Sequence, residues 1–219
     1  MKFQAVAFDL DGTLYPNYRL NVRLVPFILK EQRLLRAFGK ARTILRKSGG
    51  GTGGNFYEKQ AKIAGDILGE GTEKVMEKVE KLIYRGWEDH FKKIRLFPHV
   101  AETLDALREN GITLGLLSDF PPETKLKNLG ILECWDAIVC SEQVGYLKPD
   151  TASLLEMAKQ MGAAPEQILY VGNSVSYDVT GAHKAGMKAA LVCTLPFLHG
   201  RKADFVFSDY RKLRDYVLT

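Results

Sequence analysis

From about residue 98 to the carboxyl end, short runs rich in Val, Ile and Leu alternate with helical patterns of roughly 8 to 15 residues. Parallel strands need a crossover long enough to hold a helix, so this alternation confines the chain to repeated strand–helix–strand units around a parallel sheet. We read strands at residues 3–8, 113–117, 137–140, 168–171 and 189–193, with a short candidate edge strand at 205–207. The expected fold is α/β, a Rossmann-like three-layer core with helices on both faces of the sheet. A helix from about His99 to Glu109 should end at Asn110-Gly111, and Gly130, Gly162 and Gly186 should end later ones, because a left-handed C-cap favours a residue without Cβ. Pro149-Asp150 and Ala164-Pro165-Glu166 read as helix starts.

About 80 residues between Asp11 and the second strand break this rhythm, too many for a plain loop. They carry helical periodicity instead, with Leu24, Phe27, Ile28, Leu34, Leu35 and Phe38 on one stripe and Val75, Val79, Leu82 and Ile83 on another. The glycine run from Ser48 to Gly54 separates the two groups. It lacks the Lys-Ser/Thr of a phosphate loop and no strand precedes it, so a flexible linker is the better reading. An insertion leaving a strand's carboxyl end lies over the edge where open parallel sheets bind ligands. We therefore expect residues 1–16 and 98–219 to form the core domain and 17–97 a helical cap that selects the substrate.

With 219 residues, 46% of them hydrophobic, the chain can bury a full core. The apolar start is interrupted by Asp9 and Asp11 before it reaches signal-peptide length, and no run approaches the roughly 20 residues that cross a bilayer. The expectation is a soluble cytoplasmic protein with no membrane partner. Cys134, Cys140 and Cys193 are widely spaced in apolar surroundings and read as core thiols in a reducing compartment. The net charge of +5 favours anionic partners without naming one.

Four polar clusters fall at the carboxyl ends of predicted strands, so the fold should gather them. They are Asp9 and Asp11 after the first strand, Ser118-Asp119 after the second, Lys148 in the run from Gly145 to Asp150 after the third, and the run from Gly172 to Asp178 after the fourth. Two carboxylates as close as Asp9 and Asp11 repel unless a cation neutralises them or one takes a proton. A hard divalent cation on Asp9 would leave Asp11 to give and accept protons. The plainer alternative is a turn in which both acids cap backbone amides, which leaves the other three clusters unexplained.

FDLDGTL, LLSD, KPD and GNSxxxD, in that order, resemble the haloacid dehalogenase superfamily, whose commonest members are phosphatases. The resemblance covers about 140 residues of the sheet portion and leaves the cap's details open. It implies an aspartyl-phosphate mechanism on a small phosphomonoester, with Mg2+ as cofactor. Asp9 would be the nucleophile. Asp11 would protonate the leaving oxygen and then activate water, its main-chain carbonyl also reaching the metal. Ser118 and the amide of Asp119 would bind phosphoryl oxygens, and Lys148 would offset their charge. Asp9, Asp11, Asn173 and Asp178 would form the metal site.

Asn173 departs from the pattern, which has an aspartate there. It can still offer a neutral oxygen to magnesium but no charge; a weaker metal site, direct ligation by Asp178, or tuning for a more anionic substrate all remain open. Ser174 and Ser176 read as capping residues. Within the same fold, dehalogenation is disfavoured because that branch lacks an acid matching Asp11, whereas a phosphosugar mutase keeps both acids. A non-catalytic binding protein on this fold is opposed by the intact Asp9, Asp11, Ser118 and Lys148. Substrate and oligomeric state are not legible.

Nine basic residues, Arg19, Arg23, Lys30, Arg33, Arg36, Lys40, Arg42, Arg46 and Lys47, face one acid, Glu31, between residues 19 and 47. The run reads first as a solvated helix face and second as an attractor of anionic substrate; its few interleaved aromatics argue against nucleic acid. Tyr15 and Tyr18 are candidate pocket walls.

Overall fold

The six predicted strands are all present and pair parallel in one sheet: β1 (Ala5–Phe8), β2 (Thr113–Ser118), β3 (Ala137–Cys140), β4 (Ile168–Gly172), β5 (Lys188–Val192) and β6 (Phe205–Phe207). Their order, β3-β2-β1-β4-β5-β6, places the strand carrying Asp9 in the middle of the sheet. The coordinates are a computed structural model that describes residues 2–49, 55–86, 91–193 and 202–219. Alternation along each strand splits the core into two layers. Val6, Phe8, Leu114, Leu116, Leu169 and Val171 pack with Leu104 and Leu107 of α5 (Val100–Glu109) and Leu213 and Val217 of α10 (Tyr210–Leu218). Ala5, Ala7, Leu117, Ile168 and Tyr170 face Leu154 and Met157 of α8 (Ala152–Gln160) and Ala182 of α9 (Thr180–Lys184). Each fully buried Leu or Val contributes about 1.5–3 kcal/mol, so both faces of the sheet are held strongly.

The insertion forms α1 (Asn17–Lys30), α2 (Gln32–Lys47), α3 (Phe56–Leu68) and α4 (Thr72–Val79), the last running on into a π turn over Glu80–Tyr84. Leu34, Ala37, Phe38 and Ala41 of α2 pack with Ala61 and Ala64 of α3 and Val75, Val79 and Ile83 in a helical core of their own. One expected apolar stripe does not run through. Leaving the helical range at Glu31 (φ −108°) separates α1 from α2 and breaks the register, so Leu24 and Phe27 join the sheet-side core while Ile28 is 39% exposed. Gly50 to Gly54 of the predicted linker lie outside the described residues.

Two helix-start signals act differently from one another. Asp150 accepts the Ala152 amide through Oδ1 at 2.9 Å and starts α8, whereas Pro165–Gln167 is a single 3-10 turn leading into β4. Gly130, Gly162 and Gly186 all have positive φ after helix ends, as their composition demands. All three cysteines are free; Cys140 is buried, but Cys134 and Cys193 are only half-buried, not core thiols. Among the described residues no helix is long and apolar enough to cross a membrane. The two middle strands, β1 and β4, mark where the chain's winding direction reverses, and their carboxyl ends open on one crevice.

Candidate active site

β1 ends at Phe8, and the Asp9 amide continues its ladder by donating to the Val171 carbonyl at 2.9 Å. This pins Asp9 between the two middle strands. Its Oδ2 accepts from Thr13 Oγ1 at 2.7 Å and its Oδ1 from Lys148 Nζ at 2.6 Å. Gly12 makes the turn possible. Its φ is +87°, and a Cβ there would stand 2.1 Å from the side-chain Nδ2 of Asn173, so the Asp9–Thr13 loop and the loop after β4 are in direct contact.

Lys148 is buried, and its ammonium also donates to Asp178 Oδ1 at 2.8 Å and to the Tyr170 hydroxyl at 3.2 Å. Burial alone would lower its pKa, but Asp178 and Asp9 outweigh that and raise it well above the ordinary value. Asp178 turns its other oxygen, Oδ2, to the amides of Asn173 at 3.1 Å and Ser174 at 2.9 Å. Burial pushes the Asp9 carboxyl up to about 7; Lys148 opposes this, and Asp178 and Asp11 add to it.

Asp11 stands apart from this cluster and has its own cation. Lys125 Nζ, on α6 (Glu123–Leu129), reaches both its oxygens at 2.6 and 2.8 Å, and the Tyr15 hydroxyl donates to Oδ1. Burial raises the Tyr15 phenol far above its usual range, with Asp11 adding to it, so Tyr15 remains a donor. Of the two tyrosines expected as pocket walls, Tyr15 is thus fully buried and bonded to Asp11, while Tyr18 is 63% exposed.

Ser118 is fully buried at the end of β2, its Oγ accepting the Phe120 amide at 3.2 Å. Asp119 does something unforeseen. Its carboxylate takes Arg46 Nη2 of α2 at 2.7 Å, lies 3.5 Å from Arg42 Nη2, and accepts the Lys148 amide at 3.3 Å, while Arg46 Nε holds the Lys148 carbonyl at 3.0 Å. Burial would raise the Asp119 pKa, but Lys148, Arg42 and Arg46 together lower it. Arg42 also pairs with Glu142, which the Tyr84 hydroxyl reaches at 2.9 Å. Among the described side chains of the run, Arg42 and Arg46 therefore point inward at core acids, and Lys30, Arg33, Arg36, Lys40 and Lys47 form the solvated face.

The Asp119 grip on Lys148 gives a first expected outcome. Asp119→Ala removes the acceptor of the Lys148 amide and the carboxylate that orients Arg46 against the Lys148 carbonyl, and displacement of a catalytic group by about 1 Å costs roughly a hundredfold. We expect kcat on a phosphomonoester to fall by roughly 10 to 100-fold with little change in KM, measured by steady-state phosphate release. A larger change in KM than in kcat would place Asp119 in substrate binding instead.

The fold thus gathers Asp9, Lys148, Asn173 and Asp178 at the β1/β4 crevice, with Asp11 beside them and Ser118 at the neighbouring strand end. Sequence reasoning missed Lys125, Thr13, Tyr170 and the inward Arg42 and Arg46. Lys125 sits in the first turn of the helix after the second strand, where nothing in the local sequence marks it as the partner of Asp11. Arg42 and Arg46 are four apart on one helix face, which could have marked a paired function. Ser174 caps the turn after β4 by accepting the Tyr177 amide, as its type suggested. As to a metal, Asp9, Asp11 and Asp178 outnumber the ammonium groups of Lys148 and Lys125 that pair with them, and the oxygens of Asp9, Asp11, Asp178 and Asn173 are all hard donors. Among the described residues no group of three or more His, Cys, Asp or Glu is already set around a common point. The donor chemistry suits Mg2+, which accepts few protein oxygens and keeps several waters.

Comparison with known proteins fixes the class. The model of the haloacid dehalogenase-like hydrolases matches residues 3–186, and the chain belongs to that family. It is 30% identical over 195 residues to a glyceraldehyde 3-phosphate phosphatase of Methanothermobacter thermautotrophicus, covering 86% of this chain and 85% of that one. It is 29% identical over 233 residues to a phosphoglycolate phosphatase of Escherichia coli, covering 98% and 91%. A phosphatase of this family from Thermococcus onnurineus superposes with TM-score 0.65 at 23% identity, covering 98% of this chain and 97% of that chain. Folds matched as well include 2-haloacid dehalogenases, so the fold alone does not choose the reaction.

Proposed function

We propose that this chain is a magnesium-dependent, cytoplasmic phosphomonoester hydrolase that works through a phosphoryl group carried on Asp9. The observation that supports it most is the separation of two acids. Asp9 shares Lys148 with Asp178 inside the crevice, and Asp11, two residues on, has Lys125 and Tyr15 to itself. On this reading one acid attacks and the other moves protons. The curated relatives described above are phosphatases, and Asp11 speaks against dehalogenation, which has no use for a second acid there.

In the first step an Asp9 carboxylate oxygen attacks phosphorus, the bond to the leaving oxygen breaks, and Asp11 in its protonated form supplies that oxygen's proton. Lys148 and Ser118 meet the phosphoryl oxygens as their charge spreads. In the second step Asp11, now the carboxylate that Lys125 pairs with, takes a proton from water as the water attacks phosphorus. The bond to Asp9 breaks and the Asp9 carboxylate returns with release of inorganic phosphate. A Mg2+ held by Asp9, Asn173, Asp178 and the Asp11 carbonyl would neutralise the anionic oxygens of the substrate. Residues 17–97 are the cap that selects the leaving group.

Phosphate release from p-nitrophenyl phosphate, with Mg2+ and after its removal by EDTA, tests this. We expect turnover with Mg2+, a fall of about a hundredfold without it and recovery on adding it back. A folded protein that releases phosphate from no member of a broad phosphomonoester panel would sink the proposal.

A further inference from the structure

We infer that the substrate carries a bulky aromatic or aryl-alkyl leaving group with no second negative charge, which is a narrower statement than the phosphatase reading on which it rests. Asp11 must touch the leaving oxygen, so whatever the phosphate is attached to lies beside Asp11. The cavity there has a volume of about 890 Å³, and Lys125, whose ammonium holds both Asp11 oxygens, is one of its walls. Phe120, another wall, lies two residues from Ser118 and donates its amide to the Ser118 hydroxyl. The cavity thus adjoins Asp11 through Lys125 and the end of β2 through Phe120, although neither Asp11 nor Ser118 lines it.

Its size is near the upper limit of the roughly 300–1,000 Å³ that encloses drug-sized ligands, far more than a two- or three-carbon leaving group fills. Its inner surface is aromatic. Tyr57, Tyr84 and Phe120 stand in edge contact, with centroids 5.8 and 6.2 Å apart, and Phe91 lies under Lys125 at 4.9 Å. Ring faces of this kind accept another ring by edge or offset stacking, or a cation, and repel anions.

The rim has the same preference. The Lys125 ammonium is already committed to Asp11, and Arg85 pairs with Glu80 at 2.7 Å. Among the described residues, Glu73, Glu77 and Glu123 are the other charged groups of the lining, and none of them forms an ion pair with a described residue. Although the whole chain carries +5, four of the six described charged residues that line this cavity are acidic. Such a field admits neutral or cationic leaving groups and disfavours a carboxylate such as that of glycolate.

The test uses alcohol esters matched in leaving-group strength: ethyl phosphate, 2-phenylethyl phosphate, and the latter bearing a 4-aminomethyl or a 4-carboxyl group. At low salt with Mg2+ we expect kcat/KM for the phenylethyl ester to exceed that for the ethyl ester at least tenfold, and the amine to exceed the carboxylate by about tenfold. Replacing the exposed Glu73, Glu77 and Glu123 together by Gln should cut the amine-to-carboxylate ratio to about threefold or less. Tyr57→Ala should lower the phenylethyl preference alone. Equal turnover of 2-phosphoglycolate or the carboxyl ester would overturn the inference. If no ester is cleaved, calorimetry of the same esters on the wild-type protein decides it: the same order of affinities upholds this pocket and rejects only hydrolysis, whereas no discrimination rejects the pocket.

Discussion

Asp9→Asn will lower phosphate release from p-nitrophenyl phosphate by roughly 10⁵-fold, the scale on which removing a catalytic nucleophile acts. The change is nearly isosteric: the Asn oxygen can still accept from Lys148 and its NH2 can donate to the Thr13 hydroxyl, so the loss is chemical. It also removes one of three carboxylates crowded at the crevice, and burial opposes charge at that position. Thermal unfolding should therefore show the variant at least as stable as the wild type. A variant that loses activity and folding together would mean that Asp9 is structural; one that keeps its activity would mean that another group attacks.

Lys148→Met comes next in size. No other described side chain touches both Asp9 and Asp178, at 2.6 and 2.8 Å, and methionine leaves those buried acids facing each other without a cation. Breaking a buried pair in this way costs about 3–5 kcal/mol. In the proposed mechanism the same ammonium meets the phosphoryl oxygens, and removal of one such stabilising group lowers kcat by about 10²–10³. We expect kcat to fall by roughly 10³-fold and the midpoint of thermal unfolding to drop, both relative to wild type. Adding Asp9→Asn to Lys148→Met should restore much of the stability but none of the activity, because the repulsion and the chemistry have different sources. Full additivity of the two stability changes would contradict this account of the cluster.

Most of the fold was legible because parallel strands buried on both faces are read as continuous apolar runs, and β1 through β5 are of that kind. What the pattern could not carry was where one helix ends and the next begins. Leu24, Phe27 and Ile28 fit a single stripe with Leu34 and Phe38, yet the break at Glu31 sends the two groups to different cores. For the site, Asp9, Asp11, Ser118, Lys148, Asn173 and Asp178 follow from position at strand ends, since the sheet alone brings those ends together. The side chains that hold them in place follow from nothing local. Lys125 reaches Asp11 from 114 residues away, and Arg46 reaches Asp119 from 73. A charge run such as residues 19–47 reads as solvated helix until the packing of α2 against the core turns Arg42 and Arg46 inward. Asp119 was expected to act through its amide, but the structure gives its carboxylate a clear task in anchoring Lys148 to the cap.

The central claim is that the phosphoryl group passes through Asp9. Asp11→Asn should slow the water step while p-nitrophenolate still leaves without a proton, so phosphorylated protein will accumulate. Rapid acid quench followed by borohydride reduction converts an aspartyl phosphate to homoserine, which peptide mass spectrometry locates. We expect homoserine at position 9 after incubation with p-nitrophenyl phosphate and Mg2+, and none in the Asp9→Asn/Asp11→Asn double variant. Phosphate release with no homoserine at position 9, or homoserine at another acid, would contradict the account.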